Sequence, residues 1–312
     1  MHLDGFMILG SAIVGLLVGI TGAGGGALMT PMLILLFSIT PEKAISSDLV
    51  AAVFMKPPAA LVHMTRKTVN WKLVALMSAG SVPTALLGSY LLKQLSLGQS
   101  DVSNIEVALG AALVLGAAAL VLRYVLDKRG RTAKSGDIRT LTTRPVPTVL
   151  IGMVGGFIVG MTSVGSGSLL IVLLLFLYPT IGAKQLVGTD LCQAVPLTLA
   201  AALGALLFGH VDFAVTASII IGSVPAAILG SLLSSRAPDQ FIRPAITFVI
   251  LLAGLKYLGL TPDPLAWAAG ISVVVGLVGS LALNRLWQPE EQPQAELALV
   301  GSAGSSASEG VT

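Results

Sequence analysis

The chain has 312 residues, 54% of them hydrophobic and 11% charged, against about 25% charged in an average soluble domain. With a mean hydropathy of +0.91, this excludes a water-exposed globular surface, and the net charge of +3, clustered in loops, excludes a basic nucleic-acid face. One cysteine, Cys192, excludes an intramolecular disulfide and a thiolate metal site, and His2, His63 and His210 lack metal-ligand spacing.

Apolar segments fall at about 5–37, 44–64, 71–93, 104–126, 146–178, 186–208, 213–234, 241–259 and 264–286. Runs of about 20 apolar residues match a bilayer core about 30 Å thick, and continuous runs do not suit a membrane β-barrel. The expected fold is an all-α polytopic membrane protein. The opening "MHLDGFMILG" lacks the basic start of a cleaved signal peptide, so the first segment is expected to be retained.

The first segment is too long for one crossing. Residues 5–37 as a single helix would run about 50 Å, more than tilt absorbs comfortably. The run "GITGAGGGALMTP" places its glycines and Pro31 where a helix is expected to break. Segment 146–178 has the same excess length and the interruption "TSVGSGS". Each is expected to be a broken or re-entrant segment, which is tolerated at membrane depth only against protein or a wet cavity.

An internal repeat accounts for the resemblance between the two breaks. "GLLVGITGAGGGALM" (15–29) lies over "GFIVGMTSVGSGSLL" (156–170), and "SSDL" (46–49) over "GTDL" (188–191). Further on, "VNWKLVALMSAGSVPTALLGS" (69–89) meets "VDFAVTASIIIGSVPAAILGS" (211–231). The expected organisation is two homologous repeats of about four hydrophobic segments, 5–126 and 146–260, the first segment of each broken by a Gly-rich stretch. A basic connector, 127–145, joins them. An extra C-terminal helix at 264–286 and a disordered tail at 287–312 follow. If each broken segment returns to its side of entry, the repeats are inverted. All Lys and Arg then lie on the connector's side except Lys43, Lys93, Lys256 and the intramembrane Lys56. If each broken segment instead crosses once, the repeats run parallel and more of the basic residues fall outside. The bias favours inversion and a cytoplasmic connector, with parallel repeats as the alternative.

Lys56 is the sharpest candidate, set in "LVAAVFMKPPAALVHM". A mid-membrane lysine costs at least about 2.5 kcal/mol and usually faces a functional cavity; the bland alternative is a snorkelling side chain or a pair with Asp48. Repeat two has Thr198 at the matching place, so the symmetry breaks at the charge. Asp48 and Asp190 are equivalent and read as starting the second helix of each repeat, where the macrodipole favours a carboxylate. The alternative is a coupling or gating role, a cation or proton site with Gln193 one turn after Asp190. His63, near "TRKTVNW", reads as interfacial, with a gating role as the alternative.

The glycines do not make a dinucleotide fingerprint, since no strand–turn–helix accompanies them, nor a nucleophile elbow. Helix packing is one reading. The other is a pair of helix ends whose amides meet an anion. On that reading Gly22, Gly24, Gly25 and Gly26 act with Thr21, and Gly165 and Gly167 with Thr162, Ser163, Ser166 and Ser168. No ATP-binding loop is present. A membrane-embedded enzyme lacks a nucleophile–base pair, so neither an enzyme nor a cofactor is expected.

"GITGAGGGALMTPML", "ISSDLVAAVFMKPPAALVHMTRKTVNW", "GSVPTALLGS" and "VGTDLCQAVPLTLAAALGALLFGHVDF" resemble the sulfite exporter TauE/SafE family, over about residues 8–260. The resemblance implies two duplicated four-helix units in a bacterial inner-membrane transporter of sulfite, sulfonates or related sulfur-containing organic anions. Members tend to carry a histidine in the "GTDL" helix, where this chain has Cys192 and Gln193. The expected function is a secondary transporter of small anions in the bilayer, without nucleic acid, and a homo-oligomer stays open. A metal-cation or other small-solute transporter and a non-transporting membrane subunit are the alternatives.

Overall fold

The computed structural model describes residues 4–21, 25–65, 68–97, 102–128, 143–179, 181–233 and 239–260. The expectations for Gly22, Gly24, the connector residues 129–142, the helix at 264–286 and the tail lie outside these residues, as does the Thr21 side chain. Ten helices occupy the described residues in the order α1 (Gly5–Thr21), α2 (Gly26–Phe37), α3 (Pro41–Thr65), α4 (Trp71–Leu97) and α5 (Val102–Lys128), then α6 (Pro145–Thr162), α7 (Leu169–Leu177), α8 (Ala183–Phe208), α9 (Phe213–Leu233) and α10 (Asp239–Tyr257). No strand occurs among them.

Six helices, α3, α4, α5, α6, α8 and α9, are long and apolar enough to cross a membrane, and α1, α2 and α10 contain shorter apolar stretches. The polarity is inside-out, as a lipid solvent demands. Phe6, Leu36, Phe54, Leu61, Leu207 and Phe213 are exposed, whereas Ser46, Ser47, Asp48, Thr189, Asp190 and Gln193 are buried.

Both long segments are interrupted. α1 ends at Thr21 and α2 starts at Gly26; α6 ends at Thr162 and α7 starts at Leu169. The first pair folds back on itself: a Cβ on Gly10, early in α1, would lie 3.0 Å from the Met32 sulfur and 3.6 Å from the Phe37 ring, at the far end of α2. The second also turns back, because Gly155 in α6 lies against the Leu170 side chain at the start of α7. Pro31 does not mark the break. It lies inside α2, where a proline removes one hydrogen bond to the residue four back and the helix continues.

Helix directions follow from the close approaches of small residues. In α6, Gly152, Gly156 and Gly160 meet the carbonyls of Met77, Ser81 and Ala85 in α4, so these two helices run parallel. The matching contact of α1 with α9 places Gly15 against Ser223. By contrast, α3 and α8 are antiparallel: His63 faces Gly188 and the Ala60 carbonyl faces Cys192. α5 and α10 also run antiparallel, with Gly110 against Leu258 and Gly254 against Val114.

Asp48 and Asp190 lie about two turns inside α3 and α8, which begin at Pro41 and Ala183, so neither starts a helix and the N-terminal reading fails. The residues before them tie the halves together instead. The Asp212 amide donates to Ser47 Oγ (3.1 Å) and the Asn70 amide to Thr189 Oγ1 (3.0 Å). The capping work falls to those loop residues. Asp212 Oδ1 accepts from the Ala214 amide at 2.9 Å and Asn70 Oδ1 from the Leu73 amide at 3.2 Å, each satisfying an otherwise orphan donor of a first turn.

Candidate functional site

The α6–α7 turn is the centre of the site. Ser163 ends α6 in the left-handed region (φ 59°), its amide donating to the Val159 carbonyl at 2.8 Å. Gly165 and Gly167 follow at φ 117° and 94°, a backbone that a side chain rarely tolerates. The sequence "SVGSGS" thus supplies a sharp reversal and leaves its serines pointing to different partners.

Ser163 Oγ donates to Asp48 Oδ2 at 2.8 Å, and Thr30 Oγ1, from α2, donates to the same oxygen at 2.9 Å. Asp48 is 1% exposed, so these charge-assisted bonds offset part of its desolvation. Lys56, partly exposed in α3, donates from Nζ to Ser166 Oγ at 2.6 Å. Since that hydroxyl accepts from lysine, its own proton can point to a ligand. Arg123, in α5, donates from Nη1 to the Gly167 carbonyl at 3.4 Å. Two cations from the first half of the chain therefore engage one turn of the second half.

Asp190 is also 1% exposed, and Lys56 and Arg123 are the cations in its field. No side-chain donor reaches either of its oxygens among the described residues; the backbone neighbour is the Gly167 amide. One turn on, Gln193 donates from Nε2 to Ser81 Oγ of α4 at 2.8 Å, while its Oε1 has no partner.

The structure thus brings together Asp48, Lys56, Ser163, Ser166, Gly167 and Asp190. Gly26 lies against the Ser163 carbonyl and Gly25 against the Met55 methyl. Thr162 serves the turn itself, donating to the Ile158 carbonyl at 2.7 Å and accepting from the Val164 amide at 3.2 Å. His63 stands apart, at the end of α3, with Nδ1 3.1 Å from Thr68 Oγ1. Thr198, the counterpart of Lys56, bonds its own helix at Ala194 and Val195. Thr30, Ser81 and Arg123 are absent from the sequence-based candidates. Arg123 alone left a legible signal, a cation just inside the apolar run 104–126.

Among the described residues, no three or more His, Cys, Asp or Glu groups could hold a metal ion. What the arrangement can do is hold a small negative group between Lys56, the Ser166 hydroxyl and the turn, with the carboxyl groups of Asp48 and Asp190 in the field of Lys56.

The chain is similar to known membrane proteins. The family model described as "Sulfite exporter TauE/SafE" matches residues 7–257. "Probable membrane transporter protein YjnA" of Bacillus subtilis is 39% identical over 251 residues, covering 80% of this chain and 98% of the relative. Two others are more distant: the same organism's YunE, 25% identical with coverage of 80% and 96%, and MJ0441 of Methanocaldococcus jannaschii, 23% identical with coverage of 80% and 93%. No solved structure gives a significant match. The chain belongs to the sulfite exporter TauE/SafE family, a family of multi-pass membrane transporters and not of enzymes.

Proposed function

We propose that this chain is a secondary transporter of small anions, in the class of sulfite, sulfonates and related sulfur-containing organic anions, in the bacterial inner membrane. The observation that carries the reading is the Lys56–Ser166 pair at 2.6 Å. It sets an intramembrane cation on a turn whose glycines admit close approach. Lys56 supplies the counter-charge, Ser166 and the turn supply donors, and Asp48 fixes the turn through Ser163.

The two halves act as inverted repeats in this reading. Equivalent helices meet each other antiparallel, α3 on α8 and α5 on α10, while α1 pairs with α9 as α6 pairs with α4. A site between two inverted halves is exposed to alternate sides by rocking one half against the other. Lys56 has no counterpart, so one anion per carrier follows.

The metal-cation alternative draws on the unpartnered oxygens of Asp190. Lys56 and Arg123 in the same field weigh against it, because two fixed positive charges repel a metal ion. The test is a thermal-stability screen of the solubilised protein against sulfite, alkylsulfonates, sulfate and divalent cations. A ligand at 100 times its Kd stabilises by about 2.7 kcal/mol. Stabilisation by the sulfur oxyanions is expected; stabilisation by divalent cations alone overturns the reading.

A further inference from the structure

We propose that Asp190 is the exchangeable proton site of the carrier, a role that Asp48 does not share. The proposal deepens the anion-carrier reading and rests on it for the coupling, but not for the presence of the proton.

The two aspartates are equivalent by sequence and differ by environment. Two hydroxyls donate to Asp48 Oδ2 at 2.8 and 2.9 Å, which holds an ionised carboxylate in place. The second repeat provides no such pair: the position matching Thr30 falls among the apolar residues of α7, "LLIVLLLFL". Asp190 therefore sits 1% exposed with no side-chain donor on either oxygen among the described residues. An ionised carboxylate buried this way is costly unless a charge or hydrogen bond meets it.

Gln193 sharpens the point. Its Nε2 is fixed on Ser81 at 2.8 Å, so its free Oε1 is an acceptor, on the face of α8 that also carries Asp190. Three buried acceptor atoms lie within one turn, and among the described residues no side-chain donor meets them; the Gly167 amide is the backbone neighbour of Asp190 alone. A proton on Asp190 supplies such a donor.

The charges facing Asp190 come from named elements. α3 presents Lys56, Asp48 and, against Gly188, His63; α5 presents Arg123; α4 carries Lys72 near its start and Lys93 near its end; α6 and α7 carry no charged residue. With the proton on Asp190, Lys56 and Arg123 exceed Asp48 by one positive charge, which an anion arriving at Lys56 cancels. The same anion beside an ionised Asp190 would leave one negative charge in excess, which is expensive inside a membrane. The anion therefore enters the protonated site, and the proton, drawn from water, exchanges with water only while the anion is absent. Each anion is thus accompanied by one proton.

The test is infrared spectroscopy of the full chain in liposomes at neutral pH, where exposed carboxylates, with ordinary pKa values near 4, are ionised. A protonated-carboxyl stretch that shifts in heavy water is expected in the wild type. It should be lost in Asp190→Asn, kept in Asp48→Asn and moved in frequency in Asp190→Glu. A band that survives Asp190→Asn unchanged, or a wild type without one, overturns the proposal. Asp190→Glu keeps the test decisive should the asparagine variant misfold, since a band unmoved by the longer acid also overturns it. The oxyanion screen fails or succeeds independently, so the anion-carrier reading can fall while the proton site stands.

Discussion

Gly26, the first residue of α2, lies so close to the carbonyl of Ser163 that a Cβ has no room. The break in the first half of the chain thus rests on the break in the second. Gly26→Ala would push backbone against backbone, which neither side relieves by a rotamer change. The expected loss is at least about 1–3 kcal/mol, the usual range for overpacking, read as a fall in the melting temperature of the solubilised protein. Gly25→Ala meets only the flexible Met55 methyl at 3.3 Å and should lose much less. Equal melting temperatures for the two variants would contradict this packing.

Asp48 accepts two hydroxyl bonds from different halves. Asp48→Ala leaves both hydroxyls without an acceptor, and a buried unsatisfied group costs about 1–3 kcal/mol. Asp48→Asn keeps one acceptor oxygen and should lose less. Chemical denaturation of the three proteins orders them wild type, Asn, Ala; an alanine variant as stable as wild type removes Asp48 from this role.

The hydroxyls of Ser47 and Thr189 make matching bonds to the Asp212 and Asn70 amides. Ser47→Ala and Thr189→Val should each lose about 0.5–1.5 kcal/mol, the net worth of one hydrogen bond. Because the two bonds share no partner, the double variant should lose the sum. A large effect from only one of them argues against equivalent roles.

Much of this architecture was legible in the chain. The length of segments 5–37 and 146–178 announced a break, because an unbroken helix would overrun the bilayer by about 20 Å. The repeat of "GSVP" and "LGS" makes α4 and α9 equivalent positions of the two repeats. What stayed hidden depends on contacts between distant residues. Asp48 and Asp190 look alike in "SSDL" and "GTDL", and their difference arises because Thr30 and Ser163 reach only one of them. Ser47 and Thr189 look like caps of their own helices, yet they serve loops more than 100 residues away in sequence. In the sequence Arg123 reads as one of the cytoplasmic charges, since nothing local shows that its guanidinium turns inward to Gly167.

Thr198 supplies a control for the asymmetry. It matches Lys56 by the repeat, but its hydroxyl donates to the Ala194 carbonyl at 2.7 Å and the Val195 carbonyl at 3.2 Å. Thr198→Val should leave anion flux within about twofold of wild type and stability within about 1 kcal/mol, since such a self-bond adds little. Loss of flux in this variant would give Thr198 a part in the site that its bonds to its own helix do not predict.

The central claim is that Lys56 holds the transported anion. Its most direct test is the flux of radiolabelled sulfite or an alkylsulfonate into liposomes containing purified wild type or Lys56→Ala. Protein recovery and melting temperature are measured on the same preparations. The account predicts folded Lys56→Ala protein with flux reduced at least about 100-fold, because losing one counter-charge at a desolvated anion is worth about 3 kcal/mol or more. Wild-type flux in folded Lys56→Ala protein would contradict it.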